Sequence, residues 1–124
     1  MVEDISEQIY NLHAQVCKSL ADPKRLRIIN ALRNGEMAVG DMARALGLRQ
    51  ANLSQHLMLL REQGVVTARR QGLNVYYSLS SPKIVQACEL MREVLAERLA
   101  RSAHLSQDLQ SVGSVNPDAL DEQA

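Results

Sequence analysis

The chain has no Phe, no Trp and only three Tyr among its 124 residues. A core without large rings must be built from Leu, Ile, Val, Ala and Met, which suits packed helices. Such a core is real but modest, and small cores are often supplemented by pairing of two copies. Cysteine is scarce too. Cys17 and Cys88 stand far apart, which excludes a disulfide framework and a zinc-finger spacing. Reduced thiols in a cytoplasmic protein are the expectation. No apolar run has the length of a membrane span and no charged-then-apolar leader opens the chain, so no membrane partner is expected. Charge of one sign is not in excess either: 14 Lys and Arg face 14 Asp and Glu.

That neutral total hides a local imbalance. Between positions 44 and 70 stand Arg44, Arg49, Arg61, Arg69 and Arg70, against Glu62 alone. The acids collect at the ends, with Glu3, Asp4 and Glu7 in front and Asp118, Asp121 and Glu122 behind. A basic middle is the feature that matters for a polyanionic partner.

Apolar spacing predicts five helices and one hairpin. Ile5, Ile9, Leu12, Val16 and Leu20 form one stripe on a first helix from Asp4 to Leu20. Asp22-Pro23 restarts the chain as cap and first helical residue. The second helix carries Leu26, Ile29, Ala31 and Leu32 and stops at Asn34-Gly35. A short third helix spans Asp41 to Leu46, with Gly47 as its stop, and a fourth spans Arg49 to Leu60. Val65 to Arg70, a turn at Gln71-Gly72, and Leu73 to Leu79 read as a hairpin. Ser81-Pro82 opens a long fifth helix, on which Ile84, Cys88, Met91, Leu95 and Leu99 make a near-heptad seam.

The expected fold is therefore mainly α with a small β-hairpin, in the order α-α-α-α-β-β-α. Residues 1–110 form one domain and 111–124 a disordered tail. The spare stripes on the first and fifth helices call for burial against a second copy, which makes a twofold homodimer the expected assembly.

A short helix, a tight turn, a polar-faced helix and a hairpin with an arginine-rich tip make a winged helix-turn-helix, a device for reading duplex DNA. On the fourth helix, Leu53, Leu57 and Leu60 share an anchoring face. The opposite face presents Gln50, Ala51, Ser54 and Gln55. Gln can contact adenine in bidentate fashion, Ser can donate or accept, and Ala can touch a thymine methyl. Arg49, Asn52 and His56 lie on the flanks, suited to phosphate contact or local packing. Arg69, Arg70 and Gln71 lie at the wing tip, within reach of a minor groove or backbone. Tyr76 and Tyr77 on the returning strand are read as packing the wing onto the fourth helix.

Two other readings are weaker. A protein-contact module needs exposed apolar anchors on the fourth helix, and Met58 alone offers one. A thiol enzyme using Cys17 lacks a cleft-like motif, an oxyanion signature and any base beyond His13.

The sequence resembles the ArsR/SmtB family of winged-helix repressors. The resemblance is carried by Leu20 to Ile29, by Gln50-Ala51-Asn52-Leu53-Ser54-Gln55-His56-Leu57, by Leu60 to Val66, by Arg69-Arg70-Gln71-Gly72 and by Val75 to Leu79. It implies a homodimer that represses from a double-stranded DNA operator until a signal, most often a metal ion, loosens it. It also implies that Gln50, Ala51, Ser54 and Gln55 face the bases.

The family's metal sites are not preserved. Its third-helix thiols would fall at Ala38 and Gly40. Its fifth-helix zinc ligands would fall at Ser81, Lys83, Val94 and Glu97, where only the last is a ligand type. Two thiols remain as candidate sensors. Cys17 and Cys88 can pair as a disulfide or polysulfide, join His13 as a three-ligand set for a thiophilic metal ion or metalloid, or merely pack. A sulfide-sensing branch of the family pairs two thiols, the first near Ala14 in this numbering. A winged-helix repressor that answers to no ligand is the remaining alternative.

Overall fold

Asp22 fixes how the reading head begins. Its Oδ1 accepts from the backbone N–H of Lys24 at 2.7 Å and of Arg25 at 3.3 Å, and Pro23 fills the first helical position. Orphan amides at a helix start need such partners. The computed structural model describes residues 4–111, and the chain divides into two units, residues 1–86 and 87–124.

In chain order the elements are α1 (Ile5–Ser19), α2 (Pro23–Ala31), β1 (Met37–Ala38), α3 (Val39–Leu46), α4 (Gln50–Glu62), β2 (Val66–Gln71), β3 (Asn74–Leu79) and α5 (Pro82–Ser111). All five expected helices and the hairpin are present, each within about two or three residues of its expected ends. The expected tail lies outside the described residues from position 112 onward.

The first unit holds an aliphatic core. Ile28, Ile29, Met42, Leu53, Leu57 and Leu60 are fully buried, and Leu32, Val65 and Val66 nearly so. No polar side chain is buried there among the described residues. Helix α2 buries one face. At about 100° per residue, Arg25, Ile28, Ile29 and Leu32 share a face, and Leu26 rotates to its edge. Leu26 is accordingly exposed.

Gly47 sets the angle between α3 and α4. Its φ of 64° closes α3 in a left-handed cap, with Gly47 N–H donating to Arg44 O and Leu48 N–H to Ala43 O at 3.0 Å. That pair of bonds is a Schellman motif, which lets the chain reverse and restart three residues later.

The sheet has three antiparallel strands in the order β1-β3-β2. Strand β1 was not expected; two residues are too few to show alternation. It pairs Met37 with Tyr77 and Ala38 with Tyr76. The hairpin pairs Gln71 with Asn74, so the turn is Gly72-Leu73 rather than Gln71-Gly72. The physical reason is twist. A two-residue turn with a positive φ in first place matches the strand twist, and Gly72 supplies it at 62°.

Alternation then deals side chains to two faces. Val66, Ala68 and Arg70 share one face with Val75, Tyr77 and Leu79, and buried Val66 marks it as the core side. Thr67, Arg69 and Gln71 share the other with Asn74, Tyr76 and Ser78. Strand β2 packs on α4 and β3 packs on α3. The wing thus meets α4 through β2, and the two tyrosines both lie on β3. Tyr77 turns to the core side and Tyr76 to the outer face.

Helix α1 has no buried residue, and Ile5, Ile9 and Leu12 stay exposed along it. Helix α5 runs for 30 residues, about 45 Å. Ser81 Oγ accepts the N–H of Lys83 at its start. In the second unit Met91, Leu95 and Leu99 of its seam are exposed, as are Leu90 and Val94. Among the described residues no helix is long and apolar enough to cross a membrane.

Candidate nucleic-acid interface

Helix α4 is fastened from below and bare above. Leu53, Leu57 and Leu60 have no exposed surface, while Gln50, Ala51, Ser54 and Gln55 are all exposed. At about 100° per residue Ala51 and Gln55 lie opposite the leucines and Ser54 lies to one side, while Gln50, three residues before Leu53, is exposed because it stands in the first turn of the helix. Arg49 is the exposed N-cap residue and its side chain makes no capping bond.

The flanking residues Asn52 and His56 are half-buried. His56 Nδ1 and Arg25 Nε are buried with no hydrogen-bond partner. Both sit near the Asp22 cap. Partial burial pushes the Asp22 carboxyl up, but the N–H groups of Lys24 and Arg25, with the charges of His56 and Arg25, hold it below its ordinary value. His56 therefore faces the start of α2 rather than open solvent.

A surface groove of about 520 Å³ lies beside α4, with Lys24, Leu48, Arg49, Ala51, Asn52 and Gln55 among its lining residues. Lys24 was not among the expected site residues. It stands on α2, and nothing in the local pattern there marks it as close to α4.

The wing treats its two arginines differently. Arg69 Nη2 donates to Glu36 Oε1 at 2.6 Å, its Nε to Glu36 Oε2 at 3.2 Å, and its Nη1 to Gln71 Oε1 at 2.7 Å. Its guanidinium lies 4.7 Å from the centre of the Tyr76 ring. The hydrogen bonds from Arg69, and then its charge, outweigh desolvation and hold the Glu36 carboxyl below its ordinary value. The same contact raises the Arg69 value. Arg70, next along the strand, points to the opposite face and is exposed. Thr67 Oγ1 and Ser78 Oγ are 3.0 Å apart across the outer face of the hairpin. A second pair, Arg44 with Asp41, sits on the exposed side of α3.

An exposed amide-and-hydroxyl ridge on a helix, following a glycine-closed turn and flanked by a braced wing, is a nucleic-acid reading head. The family profile described as "Bacterial regulatory protein, arsR family" matches residues 22–68. Over 110 residues the chain is 40% identical to an uncharacterised HTH-type transcriptional regulator, Rv0081, of Mycobacterium tuberculosis, covering 88% of this chain and 96% of that one. The chain belongs to the ArsR family.

Other members agree. A transcriptional repressor SmtB homologue of Synechocystis is 42% identical over 89 residues, 72% of this chain and 64% of that one. The crystal structure of Rv0081 superposes with a TM-score of 0.67 at 40% identity, over 75% of this chain and 94% of that one. The solution structure of a homodimeric winged helix-turn-helix DNA-binding domain, Mb0332 of Mycobacterium bovis, superposes with a TM-score of 0.72 at 32% identity, over 81% of this chain and 93% of that one. As an ArsR-family member, the chain is a DNA-binding transcriptional regulator and not an enzyme.

The family's metal sites do not fit these residues. Ala38 lies in β1 and Gly40 in the first turn of α3, and neither carries a donor. On α5, Lys83 and Val94 have none that binds a metal at neutral pH. Among the described residues, no three His, Cys, Asp or Glu side chains come together as a metal site. His13 and Cys17 are exposed, one turn apart on α1; Cys88 is half-buried on α5; both thiols are free.

Proposed function

We propose that this ArsR-family regulator is a homodimeric repressor that binds an inverted-repeat operator through α4 and is released by a thiol-directed signal. The observation that carries the DNA reading is the exposed row of Gln50, Ala51, Ser54 and Gln55 above three fully buried leucines. A helix backed by buried leucines holds its backbone in place when its exposed side chains meet base edges. Twofold symmetry follows from the uncovered apolar faces. Ile5, Ile9 and Leu12 on α1, and Met91, Leu95 and Leu99 on α5, are each at least 44% exposed in one copy. Burying them against a second copy removes that surface from water. Two copies related by a dyad read two half-sites about 34–36 Å apart. Repression fits a dimer that covers both half-sites, and the Synechocystis relative carries the name of a repressor.

The thiol signal rests on Cys17. It is exposed and free, so an oxidant or persulfide can reach it, and its helix is one of the two assigned to the dimer contact. The test is operator binding by purified protein, reduced, oxidised, persulfide-treated and titrated with Zn, Cd, Cu(I) and As(III). Cys17→Ser and Cys88→Ser are measured beside it. Loss of release in either variant supports the thiol signal. Equal binding in all conditions and in both variants makes this a repressor that answers to no thiol ligand.

A further inference from the structure

The groove beside α4 brings together residues from three parts of the chain. Lys24 comes from the first turn of α2, Leu48 and Arg49 from the turn between α3 and α4, and Ala51, Asn52 and Gln55 from α4 itself. Two cations and two amides line it, and no Asp or Glu does. Asp22, two residues before Lys24, has its Oδ1 turned to the backbone N–H groups of α2. Lys24 and Arg49 are exposed, so neither charge is spent on a buried partner. Ala51 and Gln55 belong at once to this groove and to the reading face, so whatever fills the groove adjoins whatever α4 reads.

We infer that this groove seats one phosphodiester of the operator backbone in each half-site, held by Lys24 from α2 and Arg49 from α4's cap. The inference rests on the DNA-binding reading and adds to it a residue and a register. A cation on α2 and another on α4, meeting one anion, fix how deep α4 enters the major groove. Phosphate contacts of this kind set position and carry no sequence information. The amide of Asn52 supplies a further donor to the phosphate oxygens. Lys24 is a positioning residue in this account, and the bases are read by its neighbours.

The experiment measures operator affinity against salt for wild type, Lys24→Gln, Lys24→Arg and Arg49→Gln, with Lys83→Gln as a control outside the groove. Each phosphate neutralised contributes about 0.9 to the slope of log affinity on log salt, or roughly a 3.5-fold change in affinity between 50 and 200 mM. K24Q is expected to lose about that much of the salt response, equally on cognate and scrambled duplex, while K24R retains it. Phosphate ethylation should identify in wild type, among the interfering positions of each half-site, one whose interference is weakened in K24Q and kept in K24R. If K24Q keeps the wild-type slope, or the ethylation pattern does not change, the assignment of the groove is overturned while the regulator reading stands. If wild type binds no duplex at low salt, both fall together.

Discussion

Arg69 donates two hydrogen bonds to the carboxylate of Glu36, tying the wing to the turn in front of β1. The pair is half exposed, so its strength is that of a screened surface contact. Its value is geometric. A bidentate contact to an arginine that also lies over Tyr76 and holds Gln71 fixes the hairpin's roll. Glu36→Gln should therefore speed amide hydrogen exchange in β2 and β3 while α4 keeps its protection. Arg69→Lys should do the same, since an ammonium cannot make the forked contact. The pH sense follows from the lowered Glu36 value. The contact is in place at neutral pH and disappears as pH falls through that lowered value. Exchange rates in E36Q should then lack this acid-side rise.

Among the described residues Arg70 is exposed with no hydrogen bond or ion pair, where Arg69 is held. Arg70→Ala should flatten the salt dependence of operator binding by about one phosphate's worth and leave melting temperature unchanged. Arg69→Ala should weaken binding with a smaller change in slope, because it acts through the wing's geometry. Equal slopes and equal exchange rates in the two variants would contradict this division.

Gly47 offers a test of backbone strain alone. A Cβ added there meets no heavy atom within 4 Å, yet φ is 64°. Gly47→Ala should cost about 1–2 kcal/mol in unfolding free energy, with packing unchanged. Leu57→Ala, at a fully buried site, should cost more, about 2–5 kcal/mol. Urea unfolding of the two variants measures both, and a Gly47→Ala variant as stable as the wild type would show that the turn is not strained.

What could be read from the residues was what local chemistry decides. The leucine spacing on α4 fixed its exposed face, Asp22-Pro23 and Ser81-Pro82 fixed two helix starts, and Gly47 and Gly64 fixed two ends. What could not be read depends on distance in space. Strand β1 exists because Met37 and Ala38 have β3 to pair with. The contact of Glu36 with Arg69 needs that pairing, and 33 residues separate the partners. The turn slid by one residue because strand twist, not the Gln-Gly dipeptide, chose its centre. Lys24 entered the site through the packing of α2 on α4, which no periodicity on α2 reports.

The stripes on α1 and α5 carry their own consequence. Leu12→Glu or Leu99→Glu should yield monomers in sedimentation and weaken operator binding more than 100-fold, while far-ultraviolet dichroism stays that of the wild type. A monomeric wild type would contradict the twofold arrangement.

The most direct test is base-by-base selection of operator sequence by wild type and by the double variant Gln50→Ala, Ser54→Ala. Sites selected by the wild type should form an inverted repeat with half-sites about 34–36 Å apart. In the double variant, preference should relax by about 1–3 kcal/mol at each base that Gln50 or Ser54 reads, at the same position in both halves, with non-specific affinity kept. Recovery of the wild-type sequence preference by the double variant would contradict the claim that this face of α4 reads the bases.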